Sequence, residues 1–267
     1  MKNIRCSMLP SWPDCNRRTA AKQYRKMIEA AGFPLRKLKA SIGAAIGTAV
    51  HKFAAGMLGQ KLDGLALENT LPSSADGLKD FMAEIAGGVE WDDTTPNLQT
   101  AYKQIESLAG AYRPLIKDVD PVLVEQDFKA TIAEGWQLTG KIDLFDSAGY
   151  LDDLKTGSVA RPYIQQAGGY VLLLEANGHE VKAAGNTFIK RVRPTKPQPA
   201  PKHTEFDLDS ARRSAFATIQ DIRDGVEAFE QSGDPYAFAA NPMSMMCTEK
   251  YCPAWGTDFC TLHLKGE

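Results

Sequence analysis

Two short segments bring acids and a lysine close together: Gly140-Lys141-Ile142-Asp143 and Asp153-Leu154-Lys155. Residues 140–146 and 150–155 read as strands joined by Ser147-Ala148-Gly149. A three-residue connection ending in glycine is a common hairpin loop, because the last residue takes a left-handed conformation. If Asp146 pairs with Tyr150, Asp143 falls opposite Asp153, and like charges across a hairpin repel. Alternation along the strand puts Lys155 on the same face as Asp153. Packing gives no reason for that convergence. A divalent cation does, since two carboxylates and a backbone carbonyl are hard oxygen donors suited to magnesium or manganese. The alternative is an exposed edge whose charges face water.

A second group is sulfur. Of five cysteines, Cys247, Cys252 and Cys260 crowd into the last 21 residues, with Cys6 and Cys15 near the start. Such crowding reads as ligation more readily than packing.

Other elements must position these groups. The pattern predicts a helix over 17–31, capped by Asp14 or Asn16 and stopped by Gly32 and Pro34. Residues 41–59 carry small and apolar side chains at helical spacing, 60–76 form a polar connection, and a helix follows at about 76–87. Thr95 and Pro96 are expected to open a longer helix as cap and first-turn residue. Strands are expected from Pro121, over 136–145 and 150–155, then a helix over 162–176 ended by Asn177-Gly178, and a strand over 181–192. The proline-rich stretch 194–201 reads as a loop or extended arm. Asp209 is expected to cap a helix running to about Gln231, before an irregular tail. The order implies a mixed α/β fold with helical additions.

The 267 residues allow one large domain. With 43% hydrophobic and 24% charged residues the composition is ordinary for a soluble globular protein. No apolar leader and no membrane-length apolar run is seen, so a soluble cytoplasmic protein is expected. The net charge of −2 conceals strong segregation. Residues 1–40 hold ten Lys and Arg against Asp14 and Glu29, residues 60–127 hold five against thirteen acids, and 190–202 hold five and no acid. Two basic segments could flank a polyanion, or be solvated faces.

Gly-Xaa-Xaa-Asp on one strand and Asp-Xaa-Lys on the next resemble the PD-(D/E)XK nuclease superfamily. Gly47-Thr48-Ala49-Val50-His51 upstream and Gln166-Ala167-Gly168-Gly169-Tyr170 downstream resemble its RecB-like branch, and one early plus three late cysteines resemble its iron–sulfur exonucleases, the CRISPR-associated and phage RecB-like group and the AddB nuclease domain. The resemblance implies a restriction-endonuclease-like fold, a mixed central sheet flanked by helices, as one domain: a helical part (1–118), a nuclease core (119–205), and a C-terminal helix with a cysteine tail (206–267). It implies metal ligation by His51, Asp143, Asp153 and the Leu154 carbonyl. Lys155 would position or deprotonate the attacking water, or stabilise charge on the phosphate. Gln166 and Tyr170, on one helical face, would orient Lys155 and DNA, with Gln165 as substitute for Gln166. Glu125, expected to end the first core strand, would act beside the ligands. Lys155 near a metal could carry a depressed pKa.

Cys15, Cys247, Cys252 and Cys260 would hold a 4Fe-4S cluster, with zinc as the alternative and Cys6 as the spare for Cys15. The gaps of four and seven residues are wider than the family's usual first Cys-Xaa-Xaa-Cys pair. The expected function is a magnesium- or manganese-dependent DNA exonuclease acting on ends or single strands, in recombination, repair or phage DNA processing. It could form homo-oligomers or work with partner proteins. The alternatives are a catalytically inactive DNA-binding module of the same fold and a zinc-stapled structural protein.

Overall fold

The computed structural model describes residues 1–65 and 75–262. Its strands in chain order are β1 (Lys2–Arg5), β2 (Ala40–Ser41), β3 (Val89–Glu90), β4 (Pro121–Ala133), β5 (Trp136–Asp146), β6 (Tyr150–Gly157), β7 (Ala183–Lys190) and β8 (Lys202–Phe206). Its α-helices are α1 (Asn16–Gln23), α2 (Arg25–Ala30), α3 (Ile42–Leu62), α4 (Ala75–Ala86), α5 (Leu98–Tyr112), α6 (Ile164–Ala176) and α7 (Leu208–Ser232). The expected 60–76 connection lies mostly outside the described residues. This is the mixed central sheet between helices that the sequence implied.

Six strands form the main sheet, and its centre is forked. β4 runs antiparallel along one edge of β5. The other edge of β5 is divided between two partners: β1 pairs in parallel with Trp136–Thr139, while β6 pairs antiparallel only with Leu144 and Phe145. Gly140–Asp143 lie in the gap between them. β7 continues parallel to β6 through the α6 crossover, and β8 closes the sheet antiparallel to β7. The hairpin register follows the expected one, with Leu144 opposite Asp152 and Phe145 opposite Leu151. Gly149 takes φ +84, and Asp146 accepts the Tyr150 amide at 2.8 Å to close the turn. One step further, at Asp143 and Asp153, the ladder stops.

Two apolar layers cover the sheet. On one side, α6 and α7 pack with the 3-10 turn Cys6–Ser11 over Trp136, Leu138, Phe145 and Leu151. On the other, α3, α4 and α5 bury Ile46, Val50, Phe53 and Ile105 against Leu144, Leu154 and Ile189.

Several boundaries differ from the sequence reading. The early helix is split into α1 and α2, and the Cys15 sulfur, not Asp14 or Asn16, accepts the Arg18 amide as cap. Asn97, not Thr95, caps α5. Thr95 is buried instead, bonded to Gln104 at 2.7 Å and to Arg191. Asp207, not Asp209, caps α7. β1 and β8 were not expected. Each is short and buries a single side chain, Ile4 or Phe206, so each shows little alternation to read. The basic stretch 190–202 is partly structural: buried Arg191 pairs with Asp92 at 2.6 Å.

Glu125 does not end the first core strand but sits inside β4, at φ +48, the one non-glycine residue with positive φ among those described. The ladder joins Val124 to Leu144 and Gln126 to Ile142, skipping Glu125 and Asp143. A side chain in left-handed backbone costs on the order of 1–2 kcal/mol. Glu125→Gly is therefore expected to be more stable in urea unfolding than Glu125→Ala, by about 1 kcal/mol. An unstrained strand position gives the opposite order, since Gly costs roughly 0.5–1 kcal/mol relative to Ala there.

Candidate active site

The fork opens into a cleft of about 1380 Å³ lined by residues of β4, β5, β6, α3 and α6. Two glycines allow the helices to close on it. A Cβ on Gly47 would stand 3.2 Å from the Thr156 Oγ1, so glycine lets α3 approach β6 and bring His51, one turn on, over the sheet. A Cβ on Gly140 would meet Tyr170 at 2.7 Å and Leu173 at 2.9 Å, so glycine lets α6 lie across the bare stretch of β5. The glycines of both sequence patterns thus have a steric reason.

Asp143 fills the place of the missing ladder bond. Its Oδ2 accepts the Leu154 amide at 2.9 Å, coupling the acid of β5 to the backbone beside Asp153. The same oxygen lies 3.4 Å from His51 Nδ1, and Glu125 Oε1 lies 3.6 Å from that nitrogen. Ligand atoms of His51, Glu125 and Asp143 all fall within 4.8 Å of one another. One imidazole and two carboxylates in that space are a donor set for a divalent cation. His51 also brings a positive charge between the two carboxylates. Burial works against its charge, but Asp143, aided by Glu125, raises its pKa to about 10. Burial likewise opposes ionisation of Asp143, and His51 outweighs it, holding Asp143 below the usual carboxylate range.

Asp153 and Lys155 form the second half of the site. Lys155 Nζ contacts both oxygens of Asp153, at 2.8 and 2.6 Å. Gln166 Nε2 lies 3.5 Å from Asp153 Oδ1 and donates to the Tyr170 hydroxyl at 2.8 Å. Gln166, rather than Gln165, makes these contacts. Burial pushes Asp153 up to about 6, with Lys155 opposing and Asp143 adding to the rise. Burial lowers the Lys155 pKa, but Asp153 and Asp143 raise it by more. On the opposite face of β6, burial pushes Asp152 up to about 7 against a Thr187 hydrogen bond, and Asp153 and Asp143 add to it.

His51, Glu125, Asp143, Asp153, Lys155, Gln166 and Tyr170 all line this one cleft. The Leu154 side chain does not; it is buried in the helical layer, leaving only its backbone beside the acids. Sequence reasoning left Lys141 without a role. Its Nζ pairs with Glu125 at 2.9 Å, and the alternation that put Lys155 with Asp153 also puts Lys141 with Asp143. Tyr163 was missed as well; its ring centroid lies 5.0 Å from Lys155 Nζ.

The cysteines are elsewhere. No disulfide links any of them. Cys15, Cys247, Cys252 and Cys260 act on one another electrostatically: burial raises Cys252 to about 11, with the other three thiols adding to the rise. Cys6 stands apart under α6, where a Cβ on Gly169 would lie 3.0 Å from its sulfur. Asp14 and Arg17 tie the N-terminal segment to the tail through Ser244, Asn241 and Phe238.

No curated protein gives a significant sequence match. Among solved structures, a Eubacterium rectale protein described as a candidate exonuclease superposes with TM-score 0.62 over 92% of this chain and 87% of its own, at 10% identity, a likeness of fold alone. An alkaline exonuclease from Laribacter hongkongensis gives TM-score 0.33 at 12% identity, over 68% of this chain and 97% of that one, too weak a likeness to bear on the fold. The family model of the PD-(D/E)XK nuclease superfamily matches residues 13–257, nearly the whole chain. The chain belongs to the PD-(D/E)XK nuclease superfamily.

Proposed function

We propose that this chain is a divalent-metal-dependent deoxyribonuclease, an exonuclease acting on DNA ends or single strands, with residues 1–267 forming one nuclease domain. The observation that carries the reading is the meeting of His51, Glu125 and Asp143 in a cleft that also holds the Asp153–Lys155 pair. The donor set fits magnesium or manganese, with manganese tolerating the imidazole better. His51, Asp143, Asp153 and the Leu154 carbonyl are assigned as the ligands, with Glu125 beside them. When bound, the cation polarises a phosphoryl oxygen and lowers the pKa of a water.

The remaining work belongs to this chain's side chains. Lys155, held by Asp153, presents its ammonium to the scissile phosphate and to the attacking water, supplying charge where negative charge builds up. Gln166 and Tyr170 brace Asp153 and limit its rotation, so the carboxylate and lysine keep one geometry. Lys141, two residues before Asp143 on the same strand and paired with Glu125, adds a cation at the cleft wall. The test is cleavage of end-labelled single- and double-stranded DNA, linear and circular, with Mn2+. Asp153→Ala and Lys155→Ala are each expected to lose at least about a hundredfold in rate. Undiminished cleavage in both would refute the assignment, and no cleavage by the wild type would favour a non-catalytic DNA-binding module.

We further propose that Cys15, Cys247, Cys252 and Cys260 hold a 4Fe-4S cluster, which would staple the N-terminal segment to the tail. Their mutual electrostatic influence, and the separation of Cys6 from them, support this ligand set. Anaerobically purified protein is expected to be brown, with a broad band near ~400 nm that is lost in Cys252→Ser. A colourless protein carrying zinc would overturn the cluster in favour of a single ion.

A further inference from the structure

A second cleft, of about 670 Å³, opens beside the first and is not used by the mechanism above. Lys22, Arg25, Lys37, Lys39, Lys250 and Tyr251 line it, with Glu90 as its one acid. Glu90 is engaged by Lys250 at 2.7 Å, and Arg25 by Glu29 at 2.7 Å. Lys22, Lys37 and Lys39 are exposed and have no ion-pair partner among the described residues. A concave surface lined by one sign of charge focuses its field on an incoming polyanion. Four of the ten basic residues of the N-terminal block, Lys22, Arg25, Lys37 and Lys39, therefore share one concave wall.

Its position matters as much as its charge. Ser41 lines this cleft and caps α3, and Gly43 and Ala44 in the first turn line the catalytic cleft. Lining residues of the two clefts thus stand two positions apart at the start of α3. From Ser41 to His51 is ten residues of helix, about 15 Å, on the order of three to five nucleotides of a single strand. The walls are fixed: the Arg36 amide donates to the Pro253 carbonyl at 2.9 Å, and its guanidinium pairs with Glu249 at 2.6 Å. Tyr251 sits among the cations, its ring 5.6 Å from the Lys250 ammonium. A basic track with an aromatic face is what a single nucleic-acid strand requires, because every base can stack and every phosphate is anionic.

We propose that this cleft binds the single DNA strand beyond the scissile phosphate, Lys22, Lys37 and Lys39 holding successive phosphates and Tyr251 stacking a base. The inference rests on the nuclease reading for the direction of the strand, not for the affinity of the cleft. It is tested by fluorescence anisotropy of the full chain with labelled oligo-dT of 4 and 12 nucleotides, in EDTA, across a salt series. Wild type is expected to bind the 12-mer at least tenfold more tightly than the 4-mer. K37E/K39E is expected to lose most of that advantage, with a salt slope shallower by roughly 0.7 for each phosphate contact removed. K26E/R213E makes the same charge change on exposed residues outside the cleft and is expected to keep the length advantage. Equal losses in both double variants, or no length dependence in the wild type, would overturn the proposal. A wild type that binds as expected and cuts nothing with Mn2+ would refute the nuclease reading alone. One that cuts, with K37E/K39E binding unimpaired, would refute the cleft alone.

Discussion

The structure depends on holding several carboxylates together in a buried place. Glu125, Asp143 and Asp153 are drawn from three adjacent strands to one place in the sheet, with Asp152 just behind, and folding must hold them there against their own charge. Two cations offset part of the cost: His51, whose proton the site holds to about pH 10, and Lys155, which grips Asp153. Burial opposes charge as well: it pushes Asp153 up to about 6, with Lys155 opposing and Asp143 adding to the rise. A fold that maintains such a cluster, and strains the backbone of Glu125 to do so, is kept by something outside packing. Strain of this kind gathers at functional sites.

The surrounding architecture follows from that requirement. A continuous ladder between β5 and β6 would set Asp143 directly against Asp153 with no room for a ligand. The fork ends the ladder at Leu144 and Asp152, and Asp143 repairs the break by accepting the Leu154 amide. Opening the sheet exposes a strip of β5, which α6 covers only because Gly140 leaves space for Tyr170. On the other side, α3 brings His51 close because Gly47 leaves space at Thr156. A glycine four residues before the histidine and a glycine three residues before the aspartate are thus steric conditions for one polar cluster.

Much of this was legible in sequence because it is local. The hairpin register followed from Gly149 and strand alternation, and the face shared by Asp153 and Lys155 from the same rule. What depended on distant partners was not legible. β1 and β8 bury one side chain each and are defined by the strands they join. Thr95 has the right residue type for a cap, but Gln104 and Arg191 claim its hydroxyl, so Asn97 caps α5 instead. Glu125 was read as the end of a strand. Its left-handed backbone and its place beside His51 come from the break at Asp143, which no local pattern encodes. Lys141 could have been found, since it shares the alternation that was applied to Asp143.

Acids that converge to hold a divalent cation must make the folded state more stable when that cation is present. Urea unfolding with and without Mn2+, on the wild type and on Asp143→Asn, tests it most directly. A ligand that binds only the folded state stabilises it by about 3 kcal/mol at roughly a hundred times its dissociation constant. The wild type is expected to gain that much as Mn2+ is raised, and Asp143→Asn to gain little at the same concentrations. A wild type indifferent to Mn2+, or an equal gain in both proteins, would contradict the account.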